Sequence, residues 1–528
     1  MVNRILAAID VGTNSIHMVV VRIQPELPAF TIIAKERATV RLGDRDPETG
    51  DLTQEAMERA TKALRRCQTL AHSLNVEAIL AVATSAVRET SNGPDFLRRI
   101  KKDLGLDINL IAGVEEARRI YLGVLSGMEF QGRPHVIIDI GGGSTELILG
   151  AGYEPRSLSS TKVGAVRLSA LFVTSDPISS GDFKAMQAYI RGLLEEPTRV
   201  LRENLSPGET PVLVGTSGTI EAVASLLAYE ASGEVPERLG GHTVSLNAIQ
   251  ELIQRLRKLN NAERAALPGM SERRAEIIVA GALILQEAMI LLQLDEISVC
   301  ERALREGIVV DWMLSHGLID DRLRYQNSVR QRSVLHAAHK FRTHRAHGDR
   351  VAEFAVTLFD QLQGSLHDWD EAARDLLWAA ATLHDVGSFI SNAAYHKHSY
   401  YLIRYGELLG YTEPEIETIA NLARYHRKSP PKPKHDNYKR LMDKTYRQMV
   451  DQLHPILRLA VAMDRRKLGA IALVRCELDP GLNRLSLHLK PNNLQDDCIL
   501  ELWSLEQNKT EFEKAFKLEV ALLLDPEG

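Results

Sequence analysis

Residues 7–20 read AAIDVGTNSIHMVV and residues 136–149 read VIIDIGGGSTELIL, so one aspartate–glycine phrase occurs twice at an offset of 129. Asp10 falls on Asp139, Gly12 on Gly141 and Ser15 on Ser144. Glycine in a tight turn lets backbone N–H groups converge into a concave nest that suits an anion. Thr13, Asn14 and Ser15 add hydroxyl and amide donors to the first loop, and Gly142, Gly143, Ser144 and Thr145 extend the second. Each loop begins at an aspartate on a strand end, where a carboxylate can hold Mg²⁺ directly or through water. A third turn, Gly215-Thr216-Ser217-Gly218-Thr219, offers the same kinds of donor. Two such loops facing across a cleft would grip a phosphate chain from both sides. A single glycine turn would read as an ordinary hairpin, and for Asp10 the competing reading is an aspartate that caps its own turn.

A second concentration of chemistry lies further on. Eleven of the 17 histidines fall between residues 331 and 470. Residues 424–447 carry nine Lys or Arg against two Asp. The stretch RYHRKSPPKPKHDNYKR (424–440) reads as an exposed loop, either a strip that attracts a polyanion or a merely solvated face.

Strands must position the loops. Apolar runs at 4–11 and 16–23 bend around Gly12 as a hairpin, with a third strand at 30–36. Helical periodicity covers 53–74, a buried strand begins at 78–87, and helices follow near 94–104 and 114–127. The pattern then restarts with strands at 135–140 and 144–150, a strand–turn–helix at 212–227, helices at 247–258 and 271–293, and a strand running into a helix over 297–309. Two related α/β domains facing each other are therefore expected. HGLIDDRLRYQ (316–326) reads as a linker. Beyond it the pattern is helical to about 470, with strands at 471–477 and 484–489 and a helix near 509–519. The expected domains are 1–125, 126–312, 325–470 and 471–528.

A chain of 528 residues is too long for one ordinary core. With 45% apolar and 25% charged residues it has the composition of a soluble globular protein. A formal charge of −5 gives no whole-chain pull toward nucleic acid or membrane, so neither is expected as a partner. Cys67, Cys300, Cys476 and Cys498 are far apart, which fits a reduced cytoplasm and argues against a cysteine-type zinc site. The N-terminus lacks a signal-peptide layout, and EIIVAGALILQEAMILLQLDEI (276–297) reads as a buried helix rather than a membrane span.

Several stretches occur together in the order found in one family: IDVGTNSIHMVV (9–20), ATSAVRET (83–90), IAGVEEARRIYLGV (111–124), IIDIGGGSTELILG (137–150), GTSGTIEAVA (215–224), LPGMSERRAEIIVAGALIL (267–285) and LREGIV (304–309). Over roughly its first 310 residues the chain resembles the exopolyphosphatase/guanosine pentaphosphate phosphatase family. That family is a branch of the actin-like, ribonuclease H-like superfamily of chaperone ATPases and sugar kinases. The resemblance implies a two-lobed α/β actin-like N-terminal half. It implies that Glu116, the second glutamate of Glu-Glu-Ala, is the base that activates water, and that Arg88 reaches the phosphates. It implies that Asp139 and Glu146 serve the Mg²⁺ and the phosphate loop. It also implies K⁺ stimulation and a homodimer. The family's Ser-Gly before the glutamates is Ala112-Gly113 here, so one hydroxyl is missing.

Residues 331–470 resemble an HD domain, an all-α metal-dependent phosphohydrolase fold, with a small α/β segment after it. His347, His384, Asp385 and Asp464 match its metal tetrad, and His398 and His426 lie where some HD proteins place ligands for a second metal. A divalent metal is therefore a possible cofactor there. The expected function is Mg²⁺-dependent hydrolysis of terminal phosphate from inorganic polyphosphate, with guanosine pentaphosphate as the alternative substrate. The rivals are a sugar or acid kinase, a non-catalytic sensor of polyphosphate or alarmone, and nucleotide chemistry seated in the HD-like domain.

Overall fold

The computed structural model describes residues 4–25, 29–151, 155–319, 329–406, 408–441 and 443–525. They pack as two compact units, Met1–Val329 and Arg330–Gly528. The linker expected at 316–326 falls mostly on residues outside the described ones.

The first unit is built on two sheets. Strands β1 (Arg4–Val11), β2 (Ser15–Gln24), β3 (Ala29–Thr39), β4 (Ala78–Ala83) and β5 (Ile108–Leu110) form a sheet in the order β3-β2-β1-β4-β5. Strands β6 (His135–Ile140), β7 (Thr145–Gly150), β8 (Pro155–Thr161), β9 (Val212–Thr216), β10 (Thr243–Ser245) and β11 (Glu296–Val299) form a second, β10-β11-β9-β6-β7-β8. With β6 placed on β1, the second sheet repeats the first strand for strand and adds β10 at its edge. In both, the first three strands are antiparallel neighbours and the next two run parallel to the first. This repeated order is that of the ribonuclease H-like fold, and its duplication in one unit is the actin-like architecture. β1 and β6 are central in their sheets, which explains their nearly unbroken apolar sequences.

Glycine determines how the helices meet. Helix Gly113–Leu125 crosses helix Leu304–Ser315 in backbone contact. A Cβ on Gly123 would lie 2.0 Å from the Ala303 carbonyl oxygen, and one on Gly307 1.7 Å from that of Arg119. Gly307 is the glycine of LREGIV, so that stretch fixes the position of the helix carrying Glu115 and Glu116. The apolar stretch at 276–297 contains Ile278–Leu292, a buried 15-residue helix; the helix expected over 271–293 is broken after Glu272–Ala275. Among the described residues no helix is long and apolar enough to cross a membrane.

The second unit packs helices Arg345–Leu362, Glu371–Leu383, Tyr395–Arg404, Glu413–Tyr425 and Lys444–Met463 around one apolar core. A sheet of β12 (Ile471–Asp479), β13 (Arg484–Pro491) and β14 (Glu519–Leu524) follows, in that order. Helix Ile499–Phe516 is the crossover between the parallel pair β13 and β14. The helix expected near 509–519 thus begins ten residues earlier, and its expected end belongs to the turn into β14. LEVALLL (518–524) is an apolar run that pairs as a strand.

Candidate active site

The two loops close with the same hydrogen bond. Gly12 N–H donates to the Ser15 carbonyl at 3.2 Å, and Gly141 N–H to the Ser144 carbonyl at 2.9 Å. A Cβ at either glycine would press on that carbonyl oxygen, at 3.1 and 3.0 Å. The loops also meet each other. A Cβ on Gly142 would lie 3.1 Å from Thr13 Cβ, and one on Gly143 2.9 Å from Thr13 Oγ1 and 2.5 Å from Ser85 Oγ. The second loop is glycine-rich because the first loop and the short helix Ser85–Arg88 crowd it.

Not every expected donor is available. Thr145 Oγ1 donates to the Val163 carbonyl at 2.5 Å, and Ser217 Oγ to the Ile140 carbonyl at 3.0 Å. Ser15 Oγ lies 2.6 Å from His17 Nε2. Gly218 faces the Arg274 guanidinium, which donates to Thr219 Oγ1 at 3.3 Å. Thr145 and Ser217 thus spend their hydroxyl hydrogens inside the protein.

Four carboxyls gather at the strand ends. Asp139 and Glu146 are register partners across β6 and β7, and both are buried. Burial pushes Asp139 up to about 7, helped by the charges of Glu116 and Asp10. Burial and Asp139 push Glu146 up to about 8. Asp10 rises to about 6, again chiefly by burial, and its Oδ1 is buried without a partner. Glu116 is held well above the usual carboxyl range by burial and then by Glu146. Mutually repelling, desolvated carboxyls with an orphaned oxygen form a donor set that fits a hard divalent cation.

Glu116 and Glu115 part company at the helix start. Glu115 turns outward to Arg118 and Arg119, each at 2.7 Å, and falls to about 2 under the Arg118 hydrogen bond. Glu116 is only 7% exposed and accepts from Arg88 NH1 at 3.1 Å, while the same nitrogen donates to the Ile111 carbonyl at 2.8 Å. Arg88 thus reaches the site and bridges the strand β5 end to the glutamate. Gly113 must be glycine, because a Cβ there would meet Ser160 at 2.6 Å.

Other side chains around the site were not singled out from the sequence. Ser160 on β8 donates to Glu146 Oε1 at 2.7 Å. Arg167 donates to the Gly143 carbonyl at 2.9 Å and to Glu89 Oε2 at 2.5 Å, and Ser85 donates to Glu89 Oε1 at 2.6 Å. Arg305 stands 3.5 Å from His17 Nδ1. Its charge opposes the rise of Asp10. Arg305 and Arg274 lie inside stretches whose order was legible, yet neither spacing nor periodicity marks them as lining a site. Ser160 sits in PRSLSST, which lacks the apolar alternation of a strand.

In the second unit, His347, His384 and Asp385 each bring one donor atom within 4.8 Å of the others. Asp464 stands behind this trio, accepting from His347 Nδ1 at 2.8 Å and Arg350 Nε at 2.9 Å. His426 packs edge-on to His384, with ring centroids 5.1 Å apart, and meets the Tyr395 hydroxyl at 3.0 Å. His398 is half-buried, whereas His396, two residues earlier, is buried with its Nδ1 unpartnered. The helix Tyr395–Arg404 turns His396, not His398, inward.

The chain matches the Ppx/GppA phosphatase family model over residues 19–316 and the Ppx/GppA phosphatase domain III model over 329–509. It is similar to a guanosine-5′-triphosphate,3′-diphosphate pyrophosphatase of Vibrio parahaemolyticus, at 30% identity over 421 residues covering 80% of each chain. A protein of the same name from Aliivibrio fischeri is 31% identical over 423 residues, again 80% of each. Among solved structures, an exopolyphosphatase of Cytophaga hutchinsonii superposes with a TM-score of 0.54 at 28% identity, covering 60% of this chain and 98% of that one. The Aquifex aeolicus Ppx/GppA family member gives 0.51 at 28%, covering 60% and 99%.

Proposed function

Because the chain belongs to the Ppx/GppA phosphatase family, and so to a group of phosphoanhydride hydrolases, we propose that it removes terminal phosphate from inorganic polyphosphate at the meeting point of the two glycine loops. The observation that carries this reading is Glu116, a buried carboxyl with a raised proton affinity, placed beside Arg88 and opposite the carboxyls of the second loop. A carboxylate at that position can orient and deprotonate an in-line water. Arg88 would pair with phosphate oxygens and offset charge that develops in transfer. The N–H groups between Gly12 and Ser15 and between Gly141 and Ser144 would hold the chain. Asp139 and Glu146, with Asp10, fit Mg²⁺, which when bound would neutralise phosphate charge. K⁺ stimulation, a homodimer and a reduced, cytoplasmic setting are part of the same proposal.

Guanosine pentaphosphate is the second reading. The likeness to the two pyrophosphatases across 80% of each chain favours it. Both substrates present a terminal phosphoanhydride to the same machinery.

The test is phosphate release from long-chain polyphosphate and, separately, from guanosine pentaphosphate, with Mg²⁺ and K⁺. Glu116→Gln is expected to lower release by about 10²–10⁴-fold, while Glu115→Gln, which alters only the ion pairs to Arg118 and Arg119, stays within about threefold. Release that survives Glu116→Gln sinks the assignment. Release from the nucleotide alone keeps the site and replaces the substrate. Binding without release from either supports a sensor.

A further inference from the structure

The buried cluster of the second unit is not used by the chemistry proposed for the first. His384 Nδ1 donates to the Ala381 carbonyl at 2.7 Å, so its lone pair is on Nε2, which is buried and unpartnered. His347 spends Nδ1 on Asp464, which leaves Nε2. Asp385 keeps Oδ1 buried without a partner and gives Oδ2 to Lys467 Nζ at 3.1 Å. Two imidazole nitrogens and one carboxylate oxygen within 4.8 Å suit Mn²⁺, Fe²⁺, Co²⁺ or Zn²⁺. Asp464 does not join them. Its Oδ2 accepts from His347 and Arg350, and its Oδ1 from the Gly469 N–H at 2.9 Å. Of the four residues expected as ligands, three bring donor atoms together and Asp464 holds His347 in place.

We infer that Lys467 is a tethered counter-ion of this site, holding Asp385 in the metal-free protein and leaving when a divalent transition metal binds His347, His384 and Asp385. In the ion pair the Asp385 side chain is 5% exposed and the Lys467 side chain 46%, so the lysine is the partner with room to leave. Its backbone stays fixed. Lys467 N–H donates to the Asp464 carbonyl at 3.0 Å, Arg350 NH2 donates to the Lys467 carbonyl at 2.9 Å, and the residue is held at φ +60°. One short loop thus carries both the group that supports a bound metal, Asp464, and the group that opposes it, Lys467.

The experiment titrates the full-length protein with Co²⁺ in excess Mg²⁺, which occupies the oxygen-rich site of the first unit. Visible absorption reads imidazole ligation, elemental analysis reads stoichiometry, and a thermal melt checks that each variant is folded. Wild type is expected to bind one Co²⁺ per chain at this site. Lys467→Met should bind about tenfold tighter, because a neighbouring positive charge is removed. Asp464→Asn should bind about 10–100-fold weaker, and His384→Gln should lose the absorption band. Affinity unchanged or weakened in Lys467→Met overturns the counter-ion role. A folded His384→Gln that keeps the band, or absence of the band in both wild type and Lys467→Met, overturns the site itself.

Discussion

The first glycine loop places Asp10 across the strand pair from His17, and the second places Asp139 across from Glu146. The two positions correspond, since His17 plus the 129-residue offset is Glu146. Burial, reinforced by Arg305, drives His17 down to about 3 and keeps it neutral. Burial beside Asp139 drives Glu146 up to about 8. One backbone, closed by one hydrogen bond, therefore presents an uncharged imidazole in one copy and an ionisable carboxyl in the other. Duplication supplies two glycine loops closed alike. Asp139, Glu146 and Glu116 cluster at the second loop and at the helix that leads to it. Arg305 stands beside the first.

Between the two loops, the largest effect should come from making the copies alike. Glu146→Gln removes a carboxylate proposed for the cation, and activity with Mg²⁺ should fall by about 10²–10³-fold. His17→Gln keeps a neutral hydrogen-bonding group, and its loss should stay within about tenfold. Steady-state phosphate release on both variants measures this. Equal losses would mean that the copies share the chemistry evenly.

A smaller effect tests the contact between loops. Gly143→Ala puts a methyl 2.5 Å from Ser85 Oγ and 2.9 Å from Thr13 Oγ1. Overpacking of this kind costs about 1–3 kcal/mol, and because it pushes the nests apart, KM for phosphate chains should rise. Gly50→Ala is the control for a different cost. Its φ of +72° strains an alanine, but nothing lies within 4 Å of the added carbon. It should lower the melting temperature without moving KM.

The loops were legible because glycine has few other uses at a strand end and because the phrase recurs. Helix Gly113–Leu125 was legible from periodicity, but the inward turn of Glu116 was legible only through a family resemblance, since either glutamate could cap a helix start. What stayed hidden was set by tertiary contact. Arg167 reaches Gly143 from a helix start far along the chain. His396 rather than His398 turns inward because of the rotation of one short helix. Lys467 meets Asp385 from a left-handed loop residue that no propensity foretells. The expected end of the tail helix ran too far because Lys514, Ala515 and Phe516 continue a helical pattern up to the turn that precedes the parallel strand β14.

The carboxyl cluster makes the comparison pH-dependent. Asp10, Asp139 and Glu146 have folded values near 6, 7 and 8, above the unfolded carboxyl range of about 4. The folded state therefore binds these protons more tightly. Below about pH 4 both states are protonated and no stability is at stake. As pH rises toward 8, the metal-free fold loses stability. Mg²⁺ held by the deprotonated cluster would restore it. Thermal melts from pH 6 to pH 8.5 should show a Mg²⁺-induced rise that grows with pH, and in Glu146→Gln that growth should shrink. A rise independent of pH would place the bound cation away from these carboxyls.

The smallest effect sharpens the role of Ser160. Its hydroxyl donates to Glu146 Oε1, an interaction that favours the charged carboxylate and opposes the upward push of burial. Ser160→Ala removes that bond but keeps the strand and leaves Gly113 with more room, so the helix start carrying Glu116 has no new clash. Glu146 should then hold its proton to higher pH. A hydrogen bond to a charged group contributes about 1.5–3 kcal/mol, enough to shift the acid limb of the pH–rate profile upward by about one unit. Only about two units above the shifted limb, where Glu146 is ionised in both proteins, should the variant approach wild-type rate. A purely structural role would lower the rate equally at every pH. The shape of the profile therefore decides whether β8, the third strand of the second copy, tunes the carboxyl that sets the two loops apart.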